Sequence, residues 1–345
     1  MRLHHLRPYV LWGLLLCAAT LTAAHAQTAH AQTAKDAPQP GGEQFKGKTV
    51  AFVPVSLGFD LTEGWSAILK QQSKQLGYNY VVRNPNFSSD AGAQAISQLI
   101  TEKPDILVIH NPDVQVYARL MKKAQDAGIY VIQINMKSTF TSDYFVGADY
   151  VSLGEKAADI MVQKCGAGTG KSGKVAIVEG VLTAAASVFQ MTGINNVLGK
   201  HPEIKVVSNQ AADWDSSKAR AVTQTIMQQN PDLCGVIGFW DTMDVGTGSA
   251  IREAGKTDQV YLVTSGGGSD TACTNVENGT FGAELSYDVP RQGQDMNADI
   301  RALLQNKPKP GAQKITQITP IQVLSKETIG PDSCWKLKQL QTAAE

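Results

Sequence analysis

From Lys48 onward, short apolar runs alternate with amphipathic stretches of helix length, and after Gly147 the alternation starts again. The strand-like runs of the first half are Thr49–Val55, Tyr78–Val82, Ile106–Ile109 and Tyr130–Ile134. Between them lie the helix-like stretches Leu61–Leu76, Asp90–Thr101 and Gln115–Ala127. Gly77 and Gly128 close two of these helices, where a left-handed residue is needed after the last turn. Ser89-Asp90 supplies an N-cap for the third. Strands alternating with helices of this length form a parallel sheet with helices on both faces. The second half runs through helix Leu153–Gln163, strand Val175–Val178, helix Ala184–Leu198 and strand Ile204–Val207. Helix Ser217–Gln228, strand Gly235–Phe239, helix Asp244–Ala254 and strand Val260–Val263 complete it. The fold class is therefore α/β, with two doubly wound lobes. Phe281–Ser286, Arg291–Leu304 and Ile315–Leu324 are too small for a third domain and are expected to cross back and complete the first two.

The first residues read as an address. Met1 to Val10 carries Arg2 and Arg7 and no acid, an apolar run follows from Leu11 to Leu21, and Ala24-His25-Ala26 precedes Gln27. A basic start, a short apolar middle and small residues at the cleavage point form a secretory signal peptide. The run is far below the ~20 residues needed to span a bilayer. Residues 1–26 are expected to be removed; Ala29-His30-Ala31-Gln32 offers a second site, after Ala31. A lipidated Cys17 would need a small residue at Leu16. Residues 27–45, and Ala34–Gln44 above all, are rich in Pro, Gly and polar residues and read as a disordered leader.

Charge and cysteines narrow the function. Lys+Arg and Asp+Glu are balanced at 31 each, and removing Arg2 and Arg7 leaves a small acidic excess. No basic excess exists to hold nucleic acid. Four cysteines lie beyond the leader: Cys165, Cys234, Cys273 and Cys334. In an oxidising compartment an even number suggests two disulfides, with three pairings open. Cys165 and Cys234 each lie just before a strand of the second domain. The amino ends of neighbouring parallel strands share one edge, so Cys165–Cys234 is feasible; Cys273 would then pair with Cys334.

Ligands of open α/β sheets bind beyond the carboxyl ends of the strands. Those ends are Gly58–Leu61, His110-Asn111, Asn135-Met136, Glu179-Gly180, Asp213-Trp214, Trp240-Asp241 and Ser265–Gly268. Flat rings with a few amides and carboxylates suit a small organic ligand with apolar faces and polar edges. Catalytic chemistry is harder to assemble. Gly166–Lys174 has Cys165 where a phosphate loop needs glycine, and it precedes a strand instead of following one. Beyond the leader only His110 and His201 remain, with no Gly-x-Ser-x-Gly elbow, so neither a zinc site nor a nucleophile triad is expected. The chain reads as neither an enzyme nor a cofactor protein.

Leu76-Gly77-Tyr78-Asn79 after the first helix, Ala212-Asp213-Trp214-Asp215 and the repeated strand-end positions, in this order and spacing, resemble the periplasmic ribose-type solute-binding proteins. The resemblance covers about residues 46–325 and implies the type I periplasmic fold: two Rossmann-like lobes joined by a three-segment hinge. It implies closure on a ligand and its presentation, by a monomer, to an ABC transporter permease in the inner membrane. The crossings would fall near Gly147–Asp149, Ser286-Tyr287 and Thr316–Thr319. The lobes would comprise residues 46–148 with 287–317, and residues 149–286 with 318–345. Carried over position by position, the ligand contacts fall on Phe59, Leu61, His110 or Asn111, Asn135, Met136, Val188 or Phe189, Trp214, Trp240, Ser265 with Gly266, and Tyr287; the strand end adds Asp241. Aldose-binding relatives place an Asp-Arg pair at Asn135-Met136, an Arg near Val188 and an Asp near Gly266. Their replacement here implies a less hydroxylated, modified or partly apolar ligand. A sensor presenting its ligand to a membrane receptor, or a binder of a non-sugar small cyclic compound, fits the same features.

Overall fold

The computed structural model describes residues 42–345. The expected signal peptide, Cys17 and the leader up to Gly41 lie outside the described residues. Along the chain come β1 (Thr49–Val53), α1 (Asp60–Leu76), β2 (Asn79–Val82), α2 (Ser89–Glu102), β3 (Ile106–Ile109), α3 (Ala118–Asp126), β4 (Tyr130–Ile134) and β5 (Tyr144–Ala148). A second series follows with α4 (Tyr150–Cys165), β6 (Lys174–Glu179), α5 (Ala185–Leu198), β7 (Lys205–Ala211) and α6 (Ser216–Gln229). It continues through β8 (Gly235–Gly238), α7 (Asp241–Glu253), β9 (Tyr261–Gly266), α8 (Asp270–Glu277) and β10 (Ala283–Ser286). Last come α9 (Val289–Asn306), β11 (Ile315–Thr319), β12 (Gln322–Ser325) and α10 (Leu337–Ala344).

Two six-stranded sheets result, ordered β11-β5-β4-β3-β1-β2 and β12-β10-β9-β8-β6-β7. Every pairing in the first is parallel, and in the second only β12 runs antiparallel, against β10. Strands such as β3 (Ile-Leu-Val-Ile) are buried at every position, as central strands covered by helices on both faces must be. α1 turns Trp65 and Leu69 onto the first sheet, both fully buried, and stops at Gly77, whose φ of 80° lets its N–H reach the Ser73 carbonyl. α2 is capped one residue earlier than expected, by Ser88, whose hydroxyl accepts from the Ala91 N–H at 3.2 Å.

The crossings between lobes follow β5, β10 and β11. The third differs from expectation: Thr319 still pairs with Ala148 in the first sheet, so the chain crosses at Pro320-Ile321, after Thr316–Thr319. α9 packs against α1, β4, β5 and β11 and belongs to the first lobe. The tail corrects the expected boundaries. The sequence places residues 318–345 in the second lobe; β12 does join its sheet, but α10 packs along α1 of the first.

Two disulfides are present, Cys165–Cys234 and Cys273–Cys334. The first joins the end of α4 to the residue before β8, on the sheet edge remote from the strand carboxyl ends. The second joins α8 to the tail. Among the described residues no helix is long and apolar enough to cross a membrane.

Candidate functional site

The carboxyl ends of both sheets face one another across a cleft of about 650 Å³, inside the ordinary range for small-molecule sites. Of the expected contacts, Phe59, Leu61, His110, Asn135 and Met136 line it from the first lobe, Trp214 and Trp240 from the second, and Tyr287 from the second crossing. The lobes touch around it. Phe59 meets Trp240 edge to face at 4.9 Å and 71°, the Val114 N–H donates to the Thr183 carbonyl at 3.2 Å, and Thr271 Oγ1 donates to Asp60 Oδ2 at 3.1 Å.

Local backbone geometry aims these groups. Asp213 and Trp214 both have positive φ, 54° and 61°, which swings the indole back over β6. Gly180 makes room for it, since a Cβ there would lie 2.0 Å from the Trp214 ring. Asn135, also at positive φ (61°), leaves β4 in a tight turn with its Oδ1 buried and unpartnered. His110 is buried with neither ring nitrogen partnered, and its ring lies edge-on to Trp65 at 5.1 Å and 89°. Burial drives its pKa down to about 3, so the imidazole is neutral and offers one donor and one acceptor. Burial raises the Tyr150 and Tyr287 phenols well above their usual range, and the Asn135 carboxamide beside them offsets this only in part. Both remain neutral hydroxyls. Among the described residues no Lys or Arg lines the cleft; Asp113 and Asp213 do line it, Asp213 paired with Lys218 at 3.1 Å.

The other expected contacts, Gly266 among them, lie elsewhere. Asn111 is buried one layer back, where its amide donates to Gln133 Oε1 and the Met136 carbonyl, each at 3.0 Å, and holds the turn that carries Met136. Ser265 donates inward to the Phe239 carbonyl at 2.9 Å. Asp241 starts α7 and turns toward the β9 loop, accepting from the Thr242 N–H at 2.6 Å; a Cβ on Gly266 would meet its Oδ2 at 2.2 Å. Phe189 packs on the core from α5, and the helix presents Ala186 to the cleft instead. Conversely, Phe87, Tyr150 and Phe239 line the cleft without having been expected. Phe87 stacks on Phe59 at 5.8 Å and 17°. It follows β2 and Tyr150 follows β5, two strand ends at which the sequence pattern places no ligand contact, and Phe239 directly precedes Trp240. Among the described residues no cluster of His, Cys, Asp and Glu is placed to hold a metal ion.

A two-lobed parallel α/β frame with a ring-lined cleft at the switch points narrows the possibilities sharply. A family model described as a periplasmic binding protein domain matches residues 50–308, more than half of the chain. The chain belongs to the periplasmic binding protein domain family. Within that family, a D-allose-binding periplasmic protein of Escherichia coli K12 is 32% identical over 204 residues, 53% of this chain and 63% of its own. A D-apiose import binding protein of Actinobacillus succinogenes is 26% identical over 193 residues, 56% of this chain and 62% of its own. These matches span less than two thirds of either relative's length. A xylitol-binding protein of Mycolicibacterium smegmatis is 27% identical over 256 residues, 69% of each chain. Among solved structures, an ABC transporter solute-binding protein from Agrobacterium vitis bound with alpha-D-tagatopyranose superposes with a TM-score of 0.74. It is 20% identical and covers 84% of this chain and 99% of its own. The family and the two-lobed fold are those expected from the sequence.

Proposed function

We propose that the chain is a periplasmic solute-binding protein that captures a small sugar-like or polyol-like ligand in the interlobe cleft and delivers it to an ABC importer. The observation that carries the reading is the cleft itself. Both lobes line it with aromatic rings, and His110 and Asn135 hold buried polar atoms there that no group among the described residues satisfies. Buried polar atoms without partners are costly, and a bound ligand supplies partners for them. A ligand touching both lobes favours the closed form by its differential affinity.

The ligand has fewer hydroxyls than an aldose or a partly apolar body. Asn135 and Met136 stand where aldose binders place an Asp-Arg pair that grips hydroxyls by two hydrogen bonds at once. Phe59, Trp214 and Trp240 offer apolar faces in their stead. The same lining favours a non-sugar cyclic compound as the second reading. The ligand contacts are Phe59, Leu61, His110, Asn135, Met136, Trp214, Trp240 and Tyr287, with Asn111, Ser265, Asp241 and Phe189 supporting them from behind. The protein acts as a monomer, without catalysis and without nucleic acid, and reaches the periplasm by cleavage after Ala26 or Ala31. Mass spectrometry of small molecules released from the denatured, purified protein tests this reading; a tightly held aldose would refute the ligand class, and a nucleotide would refute the whole.

A further inference from the structure

After the third crossing the chain reaches back to the first lobe through α10, at the end of residues 326–345, which lie outside the family match at 50–308. The segment is fastened to the second lobe at several points. The Thr328 hydroxyl donates to the Val323 carbonyl at 2.6 Å, and Cys334 is bonded to Cys273 of α8. Trp335 is pinned by its backbone in both directions, its N–H donating to the Gly268 carbonyl at 3.2 Å and its carbonyl accepting from the Asp270 N–H at 2.7 Å. Its indole Nε1 donates to the Gly267 carbonyl at 2.7 Å.

The other end is fastened to the first lobe. The Trp335 ring lies against α1 at Gly64, where a Cβ would come within 2.9 Å of it and within 2.8 Å of Val289. α10 then lies along α1, burying Ala344, and Lys74 of α1 donates to the Glu345 carbonyl. The indole thus sits between the Gly267 loop of one lobe and the first turns of α1 in the other. Swinging the lobes apart would pull these surfaces away from each other.

We propose that residues 326–345 form a strap across the two lobes, disulfide-fastened to the second and helix-fastened to the first, that holds the ligand-free protein toward closure. The strap rests on the reading that the lobes open and close. It acts without ligand, so its test needs none. The Val114 N–H, bonded across the cleft mouth to the Thr183 carbonyl, reports closure through its rate of hydrogen exchange. In ligand-free protein, Trp335→Ala, deletion of residues 336–345 and Cys273→Ser/Cys334→Ser should each speed exchange at Val114 by ~10-fold or more as the closed fraction falls. Each should also enlarge the radius of gyration in solution scattering, while exchange in β3 and β8 stays slow. Cys165→Ser/Cys234→Ser removes a bridge lying within the second lobe and should leave Val114 exchange and the radius unchanged. Should the deletion prevent folding, Trp335→Ala, which keeps both bridge and helix, decides. Unchanged Val114 exchange in a variant with an intact core overturns the strap, as does a parent protein whose Val114 is unprotected with the strap in place. Closure on ligand is read separately, from the ligand-induced change in radius, so either idea can fail alone.

Discussion

Trp214 and Trp240 meet edge to face at 6.2 Å and 84°, and Phe59 closes on Trp240 from the opposite lobe. Ring contacts of this kind act as buried anchors, so Trp214→Ala and Trp240→Ala should each weaken ligand binding by ~1–3 kcal/mol. His201, on the surface beside Glu203 at 2.9 Å, should be silent when replaced by Ala. Titration calorimetry with the released ligand checks both, and unchanged affinity in both tryptophan variants would mean the cleft is not the site. These rings were legible because they stand at strand ends. Asp241 and Ser265 stand at strand ends too but turn inward to backbone partners, a choice that local hydrogen bonding makes and no periodicity records. Asp244 gives a pH prediction. It is fully buried, accepts from the Thr264 and Thr247 hydroxyls and the Trp240 N–H, and burial pushes its carboxyl up to about 7. The unfolded group ionises near ~3.9, so between those values the folded state holds a proton that the unfolded state has lost. Stability contributed by Asp244 is therefore present at low pH and lost as pH rises toward 7, with a slope of up to ~1.4 kcal/mol per pH unit. Asp244→Asn should flatten that fall in chemical denaturation measured from pH 4 to pH 8; an identical slope in the variant would refute the assignment.

At the scale of elements, α4 and α5 lie unusually close because each presents a glycine to the other's backbone. A Cβ on Gly154 would come within 2.0 Å of the Gln190 carbonyl, and one on Gly193 within 2.0 Å of the Val151 carbonyl. Backbone cannot yield as a side chain can, so Gly154→Ala and Gly193→Ala should each destabilise by ~1–3 kcal/mol; a thermal midpoint equal to the parent's in both would contradict this packing. Neither glycine announced itself in the sequence, since a helical glycine signals equally a weak helix or a close crossing. The strands were easier to read. β1, β3, β4, β6 and β8 are dense apolar runs flanked by helices, and that alternation alone gave the doubly wound pattern. β5 escaped because no helix separates it from β4; a loop at 135–143 makes the connection, and the alternation rule has no place for it. Missing β5 hid Tyr150, which starts the next helix. The end of the tail departs from expectation for a related reason. Cys273–Cys334 tied it to the second lobe in chain logic, but the bridge fixes only one end, and α10 finds its apolar partner on α1.

For the molecule as a whole, the balance of polar and apolar groups across the cleft decides what it will hold. An aldose presents hydroxyls around its ring, and each must find a partner once water is expelled. His110, Asn135, Tyr150 and Tyr287 satisfy a few such edges with neutral groups, and Ser89, Asp113, Gln115, Thr183 and Asp213 add polar atoms to the lining, while Phe59, Met136 and Phe239 offer apolar faces and each tryptophan only an indole N–H. Each hydroxyl buried without a partner costs ~1–3 kcal/mol, so two or three of them erase useful affinity. The absence of Lys and Arg from the lining among the described residues also disfavours anions such as sugar phosphates. A thermal-shift panel should therefore show little stabilisation by ribose, glucose or galactose. Clear stabilisation should come from polyols, deoxy or modified sugars, or small cyclic compounds with few hydroxyls, in the manner of any ligand that binds only the folded state. The same ligands should shrink the radius of gyration, because only a group reaching both Asn135 on one lobe and Trp214 on the other rewards closure. Strong stabilisation by ribose or glucose at micromolar concentration would mean that Asn135-Met136 grips hydroxyls as well as the charged pair does, and the apolar reading of the cleft would fall.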